Sequence, residues 1–240
     1  MRFQPMGLAV ACLLTISSAA WADSFYDTVE QPGVQSSTMT LLDAGVESFD
    51  SRPTGTQTFT TDFGTGGTVV GTFTNVDVMP ADLYGGAGGT GNFASDYSGS
   101  FSLAFATAQT YVGMWISALN STNYLSFYNN GALVYSFAPA QLLDFVANNP
   151  AYYGNPTPNF RHQDSGEPFA FVNFTDLTGT FDKISVSGYG YELDNFTVGT
   201  PVSTASSAAV FDVPEPGPVG VLGLAMIGLA FVRRPRWLAV

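Results

Sequence analysis

From Leu41 onward the apolar positions recur every second residue and the runs are short. That period places alternate side chains on opposite faces of an extended chain. Ser98–Ala106 (SGSFSLAFA) aligns Phe101, Leu103 and Phe105 on one face. Tyr111–Ala118 aligns Val112, Met114 and Ile116, with Trp115 on the opposite face. Gly45–Asp50, Thr56–Phe63, Gly67–Val76, Phe169–Phe174, Thr180–Ser187 and Tyr191–Val198 read as strands on the same grounds. Asn123–Tyr128 and Ala132–Phe137 flank Asn129-Asn130-Gly131, and an Asn-Gly between alternating apolar runs predicts a tight hairpin. One segment breaks the period: Ala138–Asn148 spaces Leu142, Leu143 and Val146 as a helix does, behind a proline in its first turn. Nine or ten strands with one short helix predict an all-β, antiparallel, two-sheet sandwich of jelly-roll type. After the helix, a Pro- and Asn-rich stretch of about 20 residues predicts a long loop, and loops of that length tend to carry function.

The two ends have a different texture. Residues 1–22 carry one early cation, Arg2, an apolar stretch from Met6 to Ile16, and small residues ending in Ala20-Trp21-Ala22. This is the pattern of a secretory signal peptide with the cut after Ala22. Residues 23–40 are polar with scattered turn residues and read as an N-terminal arm. The body spans 41–200, and 201–212 (PVSTASSAAVFD) is a small-residue linker. Residues 213–237 form a tail of three parts: Val213-Pro214-Glu215-Pro216, an apolar run over 217–232, and a basic end with Arg233, Arg234 and Arg236. The apolar run of 16 residues is short for a membrane helix, which needs about 20. Cations directly after it orient it with the basic end in the cytoplasm and the body outside.

Charge and cysteine content narrow the function classes. Between the signal and the apolar tail the only basic residues are Arg52, Arg161 and Lys183, against all 19 acids, a net charge of −16. Such a body is repelled by nucleic acid phosphates, which bind through Lys and Arg. The single cysteine, Cys12, leaves with the signal, so the body has neither a disulfide nor a thiol nucleophile. His162 is the only histidine, and no G-x-S-x-G nucleophile motif occurs. Gly86-x-Gly88-x-x-Gly91 matches the spacing of a dinucleotide-binding loop, but it lacks the flanking strand and helix that give that motif meaning. No enzyme class is therefore marked by motif. A glycosidase working through a pair of carboxylates is the one catalytic alternative left open.

Two ligand chemistries remain on the list. Glu47 and Asp50 sit on the first predicted strand and Asp194 on the last, next to Glu192. Strands that pair first to last would draw these acids together, so Glu47, Asp50 and Asp194 are candidate ligands for a structural calcium ion. Tyr84, Tyr152, Tyr153 and Phe160 fall in predicted loops, where exposed aromatic rings can stack on sugars. They are the candidate glycan contacts of a carbohydrate-binding module.

The tail, with VPEP, a short Gly- and Leu-rich apolar run and RRPR in order, resembles the PEP-CTERM sorting signal of Gram-negative bacteria. The body stretches ADLYGGAGGTGNF, YLSFYNNGALVYSF and GYELDNFTVG resemble the exosortase-dependent surface proteins with a β-sandwich body. The resemblance implies a precursor held in the inner membrane transiently by its C-terminal transmembrane sorting helix. An exosortase then cuts near Pro214, Glu215 and Pro216, and the product moves to the cell surface or extracellular matrix. The resemblance implies little about activity; with no catalytic motif marked, the expected role is structural or adhesive, tied to exopolysaccharide or biofilm, with no enzymatic activity and no cofactor beyond the candidate calcium.

Overall fold

The computed structural model describes residues 23–202 and 209–211. The expected signal peptide, the expected sorting tail with Pro214, Glu215, Pro216, Arg233, Arg234 and Arg236, and most of the expected linker lie outside these residues. Among the described residues no helix is long and apolar enough to cross a membrane.

The fold is all-β and antiparallel. Among the described residues thirteen strands run in chain order as β1 (Phe25–Val29), β2 (Leu41–Glu47), β3 (Gly55–Thr61), β4 (Gly71–Pro80), β5 (Asn92–Ser95), β6 (Phe101–Gln109), β7 (Tyr111–Ser117), β8 (Tyr124–Asn129), β9 (Ala132–Phe137), β10 (Ala170–Asp176), β11 (Phe181–Ser187), β12 (Glu192–Pro201) and β13 (Ala209–Phe211). They are hydrogen-bonded in the order β13-β1-β10-β7-β12-β5-β4-β6-β11-β8-β9, with β2 also on β12 and β3 also on β4.

This path folds back on itself. Phe73 of β4 meets Phe196 of β12 edge to face at 5.3 Å, although β5 stands between the two strands on the path. At the other end Phe127 of β8 lies 5.3 Å from Phe174 of β10 and 5.2 Å from Phe25 of β1. Strands far apart along the ladder thus touch face to face, and the sheet is sandwich-like. The apolar filling is rich in phenylalanine: Phe49, Phe63, Phe73, Phe101, Phe127, Phe137, Phe174, Phe181 and Phe196 are all buried in one cluster. Each such ring contributes about 1.5–3 kcal/mol by leaving water.

The hairpin forms as its sequence requires. Asn130 and Gly131 both hold positive φ, 49° and 80°, which is the type I′ geometry matching the strand twist. The helix, α1 (Pro139–Val146), buries Leu142 and Val146 one turn apart.

Three segments differ from the sequence reading. The polar arm carries β1, which sits between β13 and β10 with Val29 opposite Val172. Its residues look polar because the alternate positions Thr28 and Glu30 enter a buried hydrogen-bond network, so hydropathy does not report their burial. The linker ends in β13, three residues paired with β1. Between β4 and β6 lies β5, four residues long and too short to show a period.

Bulges on β12 and β4 also reset the alternation. On β12, Leu193, Phe196 and Val198 all face the core, which strict period two forbids. Asn195, at φ 49°, is the extra residue. On β4, Asn75 at φ 61° does the same between Phe73 and Val76.

Candidate functional site

β7 and β10 are buried along their whole length, on both faces. The inner face packs into the phenylalanine core. The outer face carries Tyr111, Trp115, Phe171 and Asn173 and is roofed by three loops. Tyr152 donates its hydroxyl to the Glu30 carbonyl at 2.8 Å. Asn155 and Asn159 donate to the carbonyls of Leu83 and Gly89. The Gly88 amide donates to Gln35 Oε1 at 2.7 Å. The loops after β1, after β4 and after α1 are therefore stitched to one another over the sheet.

Under this roof lie two polar clusters with different bonding. The first is centred on Asn173. Its Oδ1 accepts from Tyr111 and Ser37, and its Nδ2 donates to Thr28 and to Glu30 Oε1. Glu30 also accepts the amide and the hydroxyl of Thr38. Each of these groups has a partner, and the cluster holds the N-terminal segment to β10.

The second cluster is unsatisfied. The ladder sets Asp77 of β4 opposite Ser95 of β5, Ser95 opposite Glu192 of β12, and Glu192 opposite Ser117 of β7. Directly opposed residues point to the same face with Cβ atoms about 5 Å apart. The row is thus one line of oxygen atoms across four strands. Asp77 is bonded to Thr56 and Ser98. The Oγ atoms of Ser95 and Ser117 and Oε2 of Glu192 are buried without a hydrogen-bond partner, as is Oδ2 of Asp96 next door.

Burial pushes the Glu192 carboxyl up to about 9, and the charges of Asp82, Glu167 and Asp96 push in the same direction. Glu167 is raised to about 7, first by burial and then by Asp164. Burial also raises Asp96.

Exposed aromatic rings stand at the rim of this row. Tyr97 and Tyr189 are 49% and 66% exposed with ring centroids 5.1 Å apart, and Tyr84 is 47% exposed. Tyr97 feels Tyr189 first, then Glu192, Asp82 and Tyr84, which together with slight burial raise its hydroxyl. Gly190 lies between ring and carboxyl. A Cβ there would stand 3.5 Å from both Glu192 Oε1 and Tyr97 Cε2, and its φ of 69° suits glycine.

The expected glycan contacts divide. Tyr84 belongs to this rim. Tyr152 is buried at 4% exposure with its hydroxyl already bonded, and Tyr153 is half-buried against the core. Phe160 is half-buried, its Cδ2 3.5 Å from where a Cβ on Gly89 would stand. Tyr97 and Tyr189 were missed by sequence reasoning. Each sits in a Gly- and Ser-bearing turn (SDYSGS and SGYGYE), and a large ring in such a turn was the available signal.

Of the expected calcium ligands, Glu47 and Asp194 lie on paired strands, but the three form no metal-binding group among the described residues. β2 pairs β12 with Glu47 opposite Phe196. Asp194 is pushed up to about 8 by burial, with Asp50 and Glu47 adding to the shift. Their oxygens are nevertheless occupied by protein donors. Glu47 takes the Arg52 guanidinium at 2.5 Å and the Phe49 amide at 3.0 Å. Asp50 takes the Asn92 amide and the Ser48 hydroxyl, both at 3.2 Å. Asp194 takes the amides of Ala87 and Asn195 at 2.7 and 2.6 Å. Among the described residues no group of three His, Cys, Asp or Glu is arranged to hold a metal ion. The same bonds settle the Gly-rich loop: its Ala87 and Gly88 amides are spent on Asp194 and Gln35 rather than offered to a phosphate.

Comparison with protein-family models, with curated proteins and with solved structures finds no match to this chain.

Proposed function

We propose that this chain is the precursor of an exported surface or matrix protein, processed by an exosortase, whose body is a jelly-roll-like sandwich that contacts exopolysaccharide. The observation that carries the location is the order of the tail: Pro214-Glu215-Pro216, an apolar run too short for a lasting anchor, and Arg233, Arg234 and Arg236. The role is structural or adhesive rather than catalytic. Replacing Glu215 by Ala tests the processing step. The variant should accumulate in the membrane fraction at precursor size, while the parent chain reaches the surface or medium. Equal release of both would count against recognition of this motif.

The body's part rests on the exposed rings of Tyr84, Tyr97 and Tyr189. Tyrosines with an apolar face and a polar tip suit the faces and hydroxyls of sugars, and three of them share one rim. Aromatic side chains left in solvent at a loop edge do little for the core. A glycan array probed with the purified protein is the direct test. Binding lost in Tyr97→Ala supports the reading, and no binding to any sugar removes it.

A further inference from the structure

We infer that the α-ammonium group created at Asp23 by removal of the signal peptide is the counter-charge of the Asp23–Asp176 carboxyl pair, so that the cut itself tightens the fold. The inference rests on the reading of residues 1–22 as a signal peptide cleaved after Ala22.

Residue 23 occupies a built position. Its amide donates to the Val134 carbonyl of β9 at 3.2 Å. The next residue is held too: the Ser24 amide donates to the Thr178 hydroxyl at 2.9 Å, and the Ser24 carbonyl accepts the Leu177 amide at 2.8 Å. The Asp23 carboxyl fills the space left by Gly179, where a Cβ would collide with Oδ2. Asp176, at the end of β10, is 4% exposed. Its Oδ1 accepts the amides of Thr178 and Gly179 at 3.0 and 2.7 Å, while its Oδ2 is buried without a hydrogen-bond partner. Gly179 therefore adjoins both carboxyls, one through its amide and one through its missing side chain. Burial raises Asp176, the Gly179 and Thr178 amides lower it, and Asp23 raises it again.

Two carboxyls so placed either share a proton or need a cation. No side chain supplies one. Arg52 is spent on Glu47, Lys183 stands over the Tyr128 ring, and Arg161 is exposed on the loop after α1. The nearby acids add no donor: Asp27 accepts the Tyr135 hydroxyl, and Asp182 on β11 accepts the Asn130 amide. Hydrolysis of the Ala22–Asp23 bond does supply one. Water gives its hydroxyl to the Ala22 carbonyl carbon, and the Asp23 nitrogen leaves as an amine that takes up a proton. A neutral amide with one N–H becomes an ammonium with three. One N–H keeps the Val134 carbonyl, and the charge sits on the same Cα as the carboxyl that faces Asp176. The uncut chain has only the neutral amide there.

The pH dependence follows. An unperturbed α-amine titrates near pH 8, and neighbouring carboxylates raise it. The stabilisation is complete below about pH 8 and is lost as pH rises through the higher folded value.

The test compares two forms of the chain 23–240 in mild detergent, one with a free α-amine and one acetylated there, with Lys183 confirmed unmodified by mass. Acetylation keeps the N–H for Val134 and removes the charge. At pH 6.5 the free form should melt about 3 °C higher. The gap should close by pH 10.5. It should also close in Asp176→Asn, which keeps the Oδ1 acceptor and removes the charge, and in Gly179→Ala, which displaces the Asp23 carboxyl. Equal melting of the two forms at pH 6.5 would overturn the inference, as would a gap that persists at pH 10.5 or in either variant. The signal-peptide reading is tested separately, by the N-terminus of the protein recovered from its own cells. A chain that begins elsewhere than Asp23 would overturn that reading and the inference for the native protein with it, whatever the melting curves show.

Discussion

Asp27 shows how a single residue can cost stability in a fold this apolar. It lies on the core side of β1 beside Phe25 and accepts a hydrogen bond from the Tyr135 hydroxyl, while its other oxygen is buried without a partner. Burial raises its carboxyl to about 7, and the Tyr135 bond offsets only part of that. The sign follows from proton binding. Between the unfolded value near 4 and the folded value near 7 the native state holds a proton on Asp27 that the unfolded chain has released, so the contribution of Asp27 to stability falls across that window and levels off above it. The full shift corresponds to about 4 kcal/mol. Asp27→Asn keeps an acceptor for Tyr135 and removes the charge. Urea unfolding should find the variant more stable than the parent at pH 8 and equal to it near pH 4. A difference between variant and parent that is the same at pH 4 and pH 8 would show that Asp27 stays ionised in the fold.

Among the elements, those with an uninterrupted period were legible from the sequence. The hairpin of β8 and β9, the helix α1 and the inward faces of β6 and β7 all follow from spacing and turn chemistry. What stayed hidden was what breaks the period. The Asn195 bulge turns Glu192 and Asp194 outward and Phe196 inward, and nothing in LDNFTV announces which residue is the extra one. A β-branched side chain cannot hold φ near 49° without strain. Asn195→Val should therefore destabilise by about 2 kcal/mol, whereas Asn195→Gly loses mainly the bond to the Gln35 carbonyl. Denaturation that ranks Val at or above Gly would count against the bulge. β1 was hidden for another reason, since its outer positions are polar yet buried. Removing residues 23–29 should lower the melting temperature sharply and leave β10 as an open edge prone to self-association. A truncated chain that melts like the parent and stays monomeric would return this segment to a peripheral arm.

At the scale of the whole molecule, the sequence located the acids but not their company. The first predicted strand does pair with the last, but the register sets Glu47 opposite Phe196, and among the described residues Glu47, Asp50 and Asp194 form no group that could hold a metal ion. The sequence could not reveal that Arg52 and the backbone amides of the Gly-rich loop would occupy their oxygens, because those donors arrive from segments remote in the chain. The unsatisfied row lies one strand position away, at Glu192, and depends on the register of four strands at once. The exposed tyrosines sit beside that row, on a body with 19 acids and three bases between residues 23 and 216, a charge that favours a cationic or neutral partner over an anionic one. The location of the protein rests on its two ends. The most direct measurement is the intact mass of the protein recovered from its own cell surface or medium. A mass running from Asp23 to a new C-terminus at Pro214–Pro216 is the result expected for an exported chain relieved of its sorting helix. A mass that still includes residues 217–240 would contradict it and make the tail a lasting membrane anchor.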